Sequence, residues 1–134
     1  MPTYIHELQY PLYLIAGTSL KRGFVFKDGD EVPLNLTSYS AEVDIRKRVG
    51  DKDAIFKLTS EGETEKGSKL EITPEEGRID IRLTPEESED FTLINKDQHL
   101  VWDIRVTDPY GDAVVYFRGS PFVVKPVSTR GETE

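Results

Sequence analysis

The sequence contains no cysteine, one methionine, one tryptophan and two histidines among its 134 residues. Without cysteine there is no disulfide, no thiolate metal ligand and no thiol nucleophile, so packing and backbone hydrogen bonding must hold the fold. The compartment is left open, because many secreted and virion proteins also lack cysteine. No apolar run approaches the roughly 20 residues needed to cross a bilayer; a stretch such as "PLYLIAG" at Pro11–Gly17 is far shorter. The opening "MPTYIHELQY" lacks a basic segment followed by an apolar one, so no secretion signal is expected and the chain reads as soluble. Basic charge is also in short supply. Seventeen lysines and arginines face 25 acidic residues, giving a net charge of -8 and a pI near 4.8. Such a surface repels phosphate backbones and anionic lipids, so neither nucleic acid nor membrane is an expected partner.

Local catalytic signatures are missing too. His6 and His99 lie far apart, and no G-x-S-x-G accompanies either, so a histidine-activated nucleophile is not indicated. No H-E-x-x-H, Walker A or G-x-G-x-x-G motif occurs. A glycosidase needs two carboxyl groups about 5 to 9 Å apart across a cleft. The acidic clusters "EGETE", "PEEG" and "PEESED" instead fall in turns and at a helix start, where carboxylates are solvated or favoured by the helix dipole. The residues therefore predict no enzyme, no catalytic residue and no cofactor. Asn35-Leu36-Thr37 matches a glycosylation sequon and is read as chance.

What the chain does have is a period of two. Leu100, Trp102, Ile104 and Val106 alternate with Val101, Asp103 and Arg105; Ala41, Val43, Ile45 and Ile79, Ile81, Leu83 alternate in the same way. This is the pattern of strands with one face on a core. With "SLKRGFVF", "AIFKLT", "KLEIT", "VVYFRG" and "PFVVK" the segments number about eight. Asp28-Gly29 predicts a hairpin joining the strand through Phe26 to one starting near Val32, and "DPYGD" at 108–112 predicts another, with Pro109 second in the turn and Gly111 left-handed. Thr84, Pro85 and Glu87 form a capping box and predict one or two helical turns, with Phe91 and Leu93 plugging the rim of the core. "SEGETEKGSK" at 60–69 has no apolar residue and is expected to be a solvated, mobile connection.

These elements predict an all-β protein: an immunoglobulin-like antiparallel β-sandwich of about seven to nine short strands with one short helical turn near 85–90. A closed barrel is the competing architecture. The expected organisation is an N-terminal arm or first edge strand over 1–16, the sandwich over 17–127 and a flexible polar tail over 128–134. Pro11 suits either an edge strand or an arm docking on a neighbouring subunit.

Two kinds of candidate site residue stand out. Asp108 and Asp112 flank the "DPYGD" turn and are the candidates for a metal, calcium above all, although two side chains fall short of its six to eight oxygens and the Pro-Gly chemistry already explains a turn. Tyr110, at the tip of that hairpin, is a candidate partner contact, as are Tyr4, Tyr10 and Tyr13 in the aromatic N-terminal stretch.

Several segments also resemble, in order, small proteins of tailed bacteriophages and prophages. The first is "GTSLKRGFVFKDGDEVPLNLTSYSAEVDIRKR", matching through Gly17, Thr18, Asp28, Gly29, Pro33, Leu34, Asn35, Leu36, Thr37, Tyr39, Ala41, Ile45 and Arg46. The second is "GRIDIRLTPEESEDF", similar to a G-x-I-x-[IL]-x-L-T segment, and the third is "LVWDIRVTDPYGDAVVYFRGSPFVVKPVSTR", similar to a strand pair with a D-x-x-G turn. Together they cover most of residues 17–130, while the first sixteen residues and the 60–69 connection exceed the pattern. The resemblance is to tail- or baseplate-associated structural proteins, similar in fold to the N-terminal domain of phage baseplate upper proteins. It implies a virion protein of the tail, baseplate or fibre-attachment region, made in the host cytoplasm, present as a homo-oligomer or in multiple copies and binding other virion proteins. A capsid decoration protein is the alternative within that class, and a host-surface carbohydrate-binding module the alternative outside it.

Overall fold

Among the described residues, alternation in the sequence becomes eight strands: β1 (Leu12–Ile15), β2 (Leu20–Val25), β3 (Ser40–Arg46), β4 (Phe56–Thr59), β5 (Lys69–Thr73), β6 (Arg78–Leu83), β7 (Gln98–Thr107) and β8 (Ala113–Lys125). A one-turn helix α1 (Pro85–Glu89) links β6 to β7, and Pro74–Glu76 forms a 3-10 turn. The computed structural model describes residues 10–89, 91 and 98–125. Tyr4, His6, Leu93 and the 128–134 tail lie outside the described residues.

The strands form two separate sheets, ordered β1-β8-β7-β3-β4 and β2-β6-β5. Two open sheets rule in the sandwich over the barrel. β2, β6 and β5 hold the places of strands B, E and D of an immunoglobulin variable-type sandwich, and β3, β4, β7 and β8 those of C, C′, F and G. One pair departs from the antiparallel expectation: β1 runs parallel to β8, from Leu12 opposite Phe122 to Ile15 opposite Lys125. Residues 12–15 are thus an edge strand of their own domain and not an arm.

The inward residues of both sheets make one core, including Leu12, Leu14, Val43, Ile45, Leu58, Leu70, Ile79, Ile81, Ile104, Phe122 and Val124. Aromatic rings join the sheets. Phe24 on β2 and Trp102 on β7 have centroids 5.8 Å apart, and Phe117 lies 5.2 Å from Phe24 and 5.5 Å from Trp102. They bridge the two strands that antibody domains join by a disulfide. Ring pairs of this kind add about 0.5–1.5 kcal/mol beyond the area they bury.

Three expectations need correction. The segments "VVYFRG" and "PFVVK" are one strand, the 13-residue β8. Gly119, Ser120 and Pro121 read as a break, but the structure carries them through a bulge. Opposite β7, Trp102 pairs with Ser120 and Ile104 with Tyr116, so Phe117, Arg118 and Gly119 all face the single residue Asp103. Phe117 and Gly119 reach φ of 61° and 73° to do so. A bulge accommodates such residues and is one of the few places a sheet admits proline.

The 27–33 segment is a turn without the strand expected after it. Only an isolated bridge joins Lys27 to Pro33. The left-handed residue is Glu31, at φ 65°, while Asp28 Oδ1 accepts the N–H groups of Asp30 and Val32. Asparagine-like capping by Asp28 closes this longer loop, so a two-residue hairpin is not formed.

The connection at 60–69 is tethered. Thr64 Oγ1 donates to Glu87 Oε1 at 2.5 Å, the Thr84 N–H donates to Ser68 Oγ at 3.0 Å, and Ser68 is fully buried. The capping box is therefore half made within the helix. Thr84 Oγ1 accepts the Glu87 N–H at 3.2 Å, but the Glu87 carboxylate serves Thr64. α1 is also fixed to the turn between β1 and β2, through the Gly17 N–H donating to Ser88 Oγ at 2.8 Å. Phe91 plugs the rim as expected, packed 5.4 Å from Phe56 and 5.8 Å from Phe122.

Gly77 has the tightest backbone requirement. Its φ is 63°, and a Cβ there would stand 2.7 Å from Leu34 O and 2.8 Å from Phe26 O. Backbone hydrogen bonds hold the three segments of chain together there: the Phe26 N–H donates to the Gly77 carbonyl and the Leu34 N–H to the Phe26 carbonyl, each at 2.8 Å. Gly77→Ala is expected to cost about 2–3 kcal/mol, from left-handed strain plus a clash that no side chain can relieve. Urea denaturation checks this; an unchanged midpoint would show that the crevice opens freely.

Candidate functional site

Asp108 is consumed by its own turn. Its Oδ1 accepts the N–H groups of Tyr110 and Asp112, each at 2.9 Å, and its carbonyl accepts the Gly111 N–H at 3.0 Å. Gly111 takes the left-handed φ of 94° that the turn demands. Asp112 is exposed, and among the described residues no three His, Asp or Glu side chains are grouped to hold a metal ion. Beneath the tip lies a hollow of about 200 Å³ whose wall is largely apolar, with Phe26, Leu36, Val106 and Tyr116, and to which Asp108 and Asp112 add the only two carboxylates, too few for calcium's six to eight oxygens. Asp108→Ala is expected to cost about 1 kcal/mol by losing those turn bonds. Calcium is expected to leave the melting temperature unchanged; a calcium-dependent rise that Asp108→Ala abolishes would overturn the turn reading.

The tyrosines divide. Tyr110 is 90 % exposed at the hairpin tip, and Tyr13 is 61 % exposed on β1 beside Ile15. Both remain open for contact. Tyr10 is corrected: its ring packs edge-on to Phe24 at 4.9 Å, its N–H donates to Ser120 Oγ at 2.7 Å, and its carbonyl accepts Trp102 Nε1–H at 2.8 Å. It is half-buried against the core of its own domain. His99 is exposed on β7.

A site that sequence reading did not single out lies on the outer face of the five-stranded sheet. Register places Asp44 of β3 directly opposite Asp103 of β7. Like charges so paired repel, and Arg46 resolves the conflict. Its Nη2 is 3.0 Å from Asp44 Oδ2, its Nη1 3.3 Å from Asp103 Oδ2, and its Nε donates to the Asp51 carbonyl at 3.0 Å. The Asp44 side chain is only 6 % exposed, and its Oδ1 has no hydrogen-bond partner among the described residues. Burial holds the Asp103 carboxyl above its ordinary range despite the nearby arginines. Glu42, two residues from Asp44 on the same face, is also raised, first by hydrogen bonding to Asp44 and then by burial, against the pull of Lys57 at 3.5 Å.

The β8 bulge turns this cluster into a groove. With Phe117 in the aromatic core and Gly119 bent back, Arg118 stands beside Asp103. The groove has a volume of about 270 Å³, with Arg46, Asp51, Asp103, Arg105 and Arg118 among the residues around it. The signal was present in the sequence as the polar halves of two alternations, Glu42-Asp44-Arg46 and Asp103-Arg105. Which strands lie side by side, and that Arg118 joins them, depends on register and bulge.

Both raised carboxyls have the same consequence for pH. A carboxyl whose folded pKa exceeds its unfolded value stabilises the fold below the unfolded value, about 4, and loses that contribution as pH rises through the folded one. Glu42→Gln, which carries no titrating carboxyl, is expected to gain stability over wild type on going from pH 4 to pH 7, by less than about 1 kcal/mol since the site is partly solvated. Paired thermal melts at the two pH values check the sign; a gap that shrinks as pH rises would contradict it.

The architecture defines a class, the immunoglobulin-like β-sandwich, and comparison with known proteins agrees. No family model and no curated protein matches the chain. Among solved structures it is similar to NK cell receptor Nkp44, described as a triggering partner in natural cytotoxicity. The TM-score is 0.50 at 14 % identity, covering 88 % of this chain and 99 % of that one. At that identity the likeness is one of fold.

Proposed function

We propose that the chain is a non-enzymatic structural protein of a tailed-phage virion, acting by protein–protein assembly in the tail, baseplate or fibre-attachment region and present in several copies. The observation that carries this reading is the ordered resemblance over residues 17–130. The residues that carry it are largely scaffold. Asp28 closes a turn, Asn35 Oδ1 accepts the Thr37 N–H at 2.9 Å, and Leu36, Ala41 and Ile45 are buried. A family defined by such residues transmits a shape, which suits assembly. The aromatic residues support the same reading over sugar binding, since Tyr10, Phe24, Trp102, Tyr116 and Phe117 serve the core and the exposed Tyr13 and Tyr110 sit on separate elements. Mass spectrometry of purified virions tests the proposal: the chain should be a stoichiometric component, and its absence from intact particles would end it.

A further inference from the structure

The outer-face groove holds two arginines that act on Asp103 from a distance and form no close ion pair among the described residues. Of the carboxylates around it, Asp103 is held by Arg46, and Asp51 by Arg48 at 3.7 Å. Arg105 and Arg118 are both exposed and, among the described residues, neither guanidinium is within ion-pair distance of a carboxylate. They are also built in. Arg105 projects from the continuous strand β7, and Arg118 is set beside it by a bulge that takes a non-glycine residue, Phe117, to φ 61°. Val101 and Val115 supply apolar wall between the charges.

We propose that this groove is a docking site for a short acidic segment of a protein partner, with Arg105 and Arg118 as the two forks that receive its carboxylates. Charge complementarity selects the occupant. Guanidinium forks match carboxylate geometry in a bidentate way. The -8 charge of the whole chain disfavours a long polyanion, which would have to run along an acidic surface, while a segment of two or three residues needs only the local patch. The volume, about 270 Å³, falls just below the roughly 300–1,000 Å³ of ligand pockets and suits one or two side chains. Glu42 stands directly across from Arg105 in register, but its carboxylate is engaged by Lys57 at 3.5 Å, and Asp44 is engaged by Arg46 at 3.0 Å. The inference goes beyond the virion reading and does not depend on it, since the groove's chemistry is the same in any setting.

The test is an amide NMR titration at low salt with an acetylated, amidated Gly-Asp-Glu-Asp-Gly peptide. Saturable shifts are expected at Gly50, Asp51, Val115, Arg118 and Gly119, with affinity falling about tenfold or more in the Arg105→Gln/Arg118→Gln double variant and falling again as salt is raised. Both arginines are exposed, so the variant should keep the wild-type spectrum elsewhere. Arg118→Lys should fall between the two, having charge without the fork. Undiminished binding in the double variant, shifts that do not saturate, or inorganic phosphate binding in place of the peptide would each overturn the proposal.

Discussion

Trp102→Ala is expected to remove about 3–5 kcal/mol of stability, a large share of the roughly 5–15 kcal/mol available to a domain. The side chain is 1 % exposed and lies against Phe24 and Phe117, so truncation leaves a cavity between the sheets at the strands that no disulfide joins. It also releases the Tyr10 carbonyl, which accepts Trp102 Nε1–H, and with it one end of the tie that leads the chain into β1. Hydrogen exchange should therefore accelerate at Leu12–Ile15 more than at the β2-β6-β5 sheet. Trp102→Phe, which keeps a ring and loses the N–H, should cost less than half as much. Because Trp102 is the sole tryptophan, circular dichroism in urea is the suitable readout. A loss below 1 kcal/mol for the alanine variant would mean that the aromatic bridge does not hold the two sheets together.

The second large effect is expected from Arg46→Met, which keeps an aliphatic stem and deletes the charge. Asp44 and Asp103 then face each other without a counter-ion, and breaking a largely buried pair in this way costs about 3 kcal/mol. The cost should depend on pH. Burial already holds the Asp103 carboxyl above its ordinary range, so as pH falls it takes up a proton, the repulsion disappears and the deficit relative to wild type shrinks. Adding Asp103→Asn should restore part of the loss at pH 7, since it removes one of the two unmatched charges. A deficit that is constant from pH 4 to pH 7 would show that the lost guanidinium acts through packing alone.

These two residues mark what could and could not be read from the sequence. Trp102 was legible, because alternation in "LVWDIRV" put it on a buried face, and the same period found β3 and β6. Alternation is a local property of a strand, so it survives without knowledge of neighbours. Strand continuity was less legible: Gly119 and Pro121 ordinarily end a strand, and only pairing with β7 on one side and β1 on the other carries β8 through them. The 60–69 connection was misjudged for a related reason. Its composition is that of a solvated loop, but Thr64 and Ser68 find partners in Glu87 and Thr84, some 16 to 23 residues away. At the "DPYGD" tip the turn chemistry was complete in five residues, and the structure reproduces it. The Asp44–Arg46–Asp103 cluster was hidden because its meaning lies in register: each strand alone shows only an ordinary polar face.

The groove also gives the assembly reading a physical handle. An immunoglobulin-like sandwich with no disulfide relies on its aromatic bridge for rigidity, and rigid outer faces present docking groups at fixed spacing. Tyr110 at one loop tip, Tyr13 and Ile15 on the β1 edge, and Arg105 with Arg118 on the sheet face are exposed on three separate parts of the surface. A component that touches several neighbours needs such an arrangement.

Electron microscopy of the intact particle tests the central claim most directly. The account predicts density for a two-sheet sandwich in the tail, baseplate or fibre-attachment region, in multiple copies, each contacting neighbouring virion proteins. Density confined to the capsid surface, or particles that are complete without the chain, would contradict it.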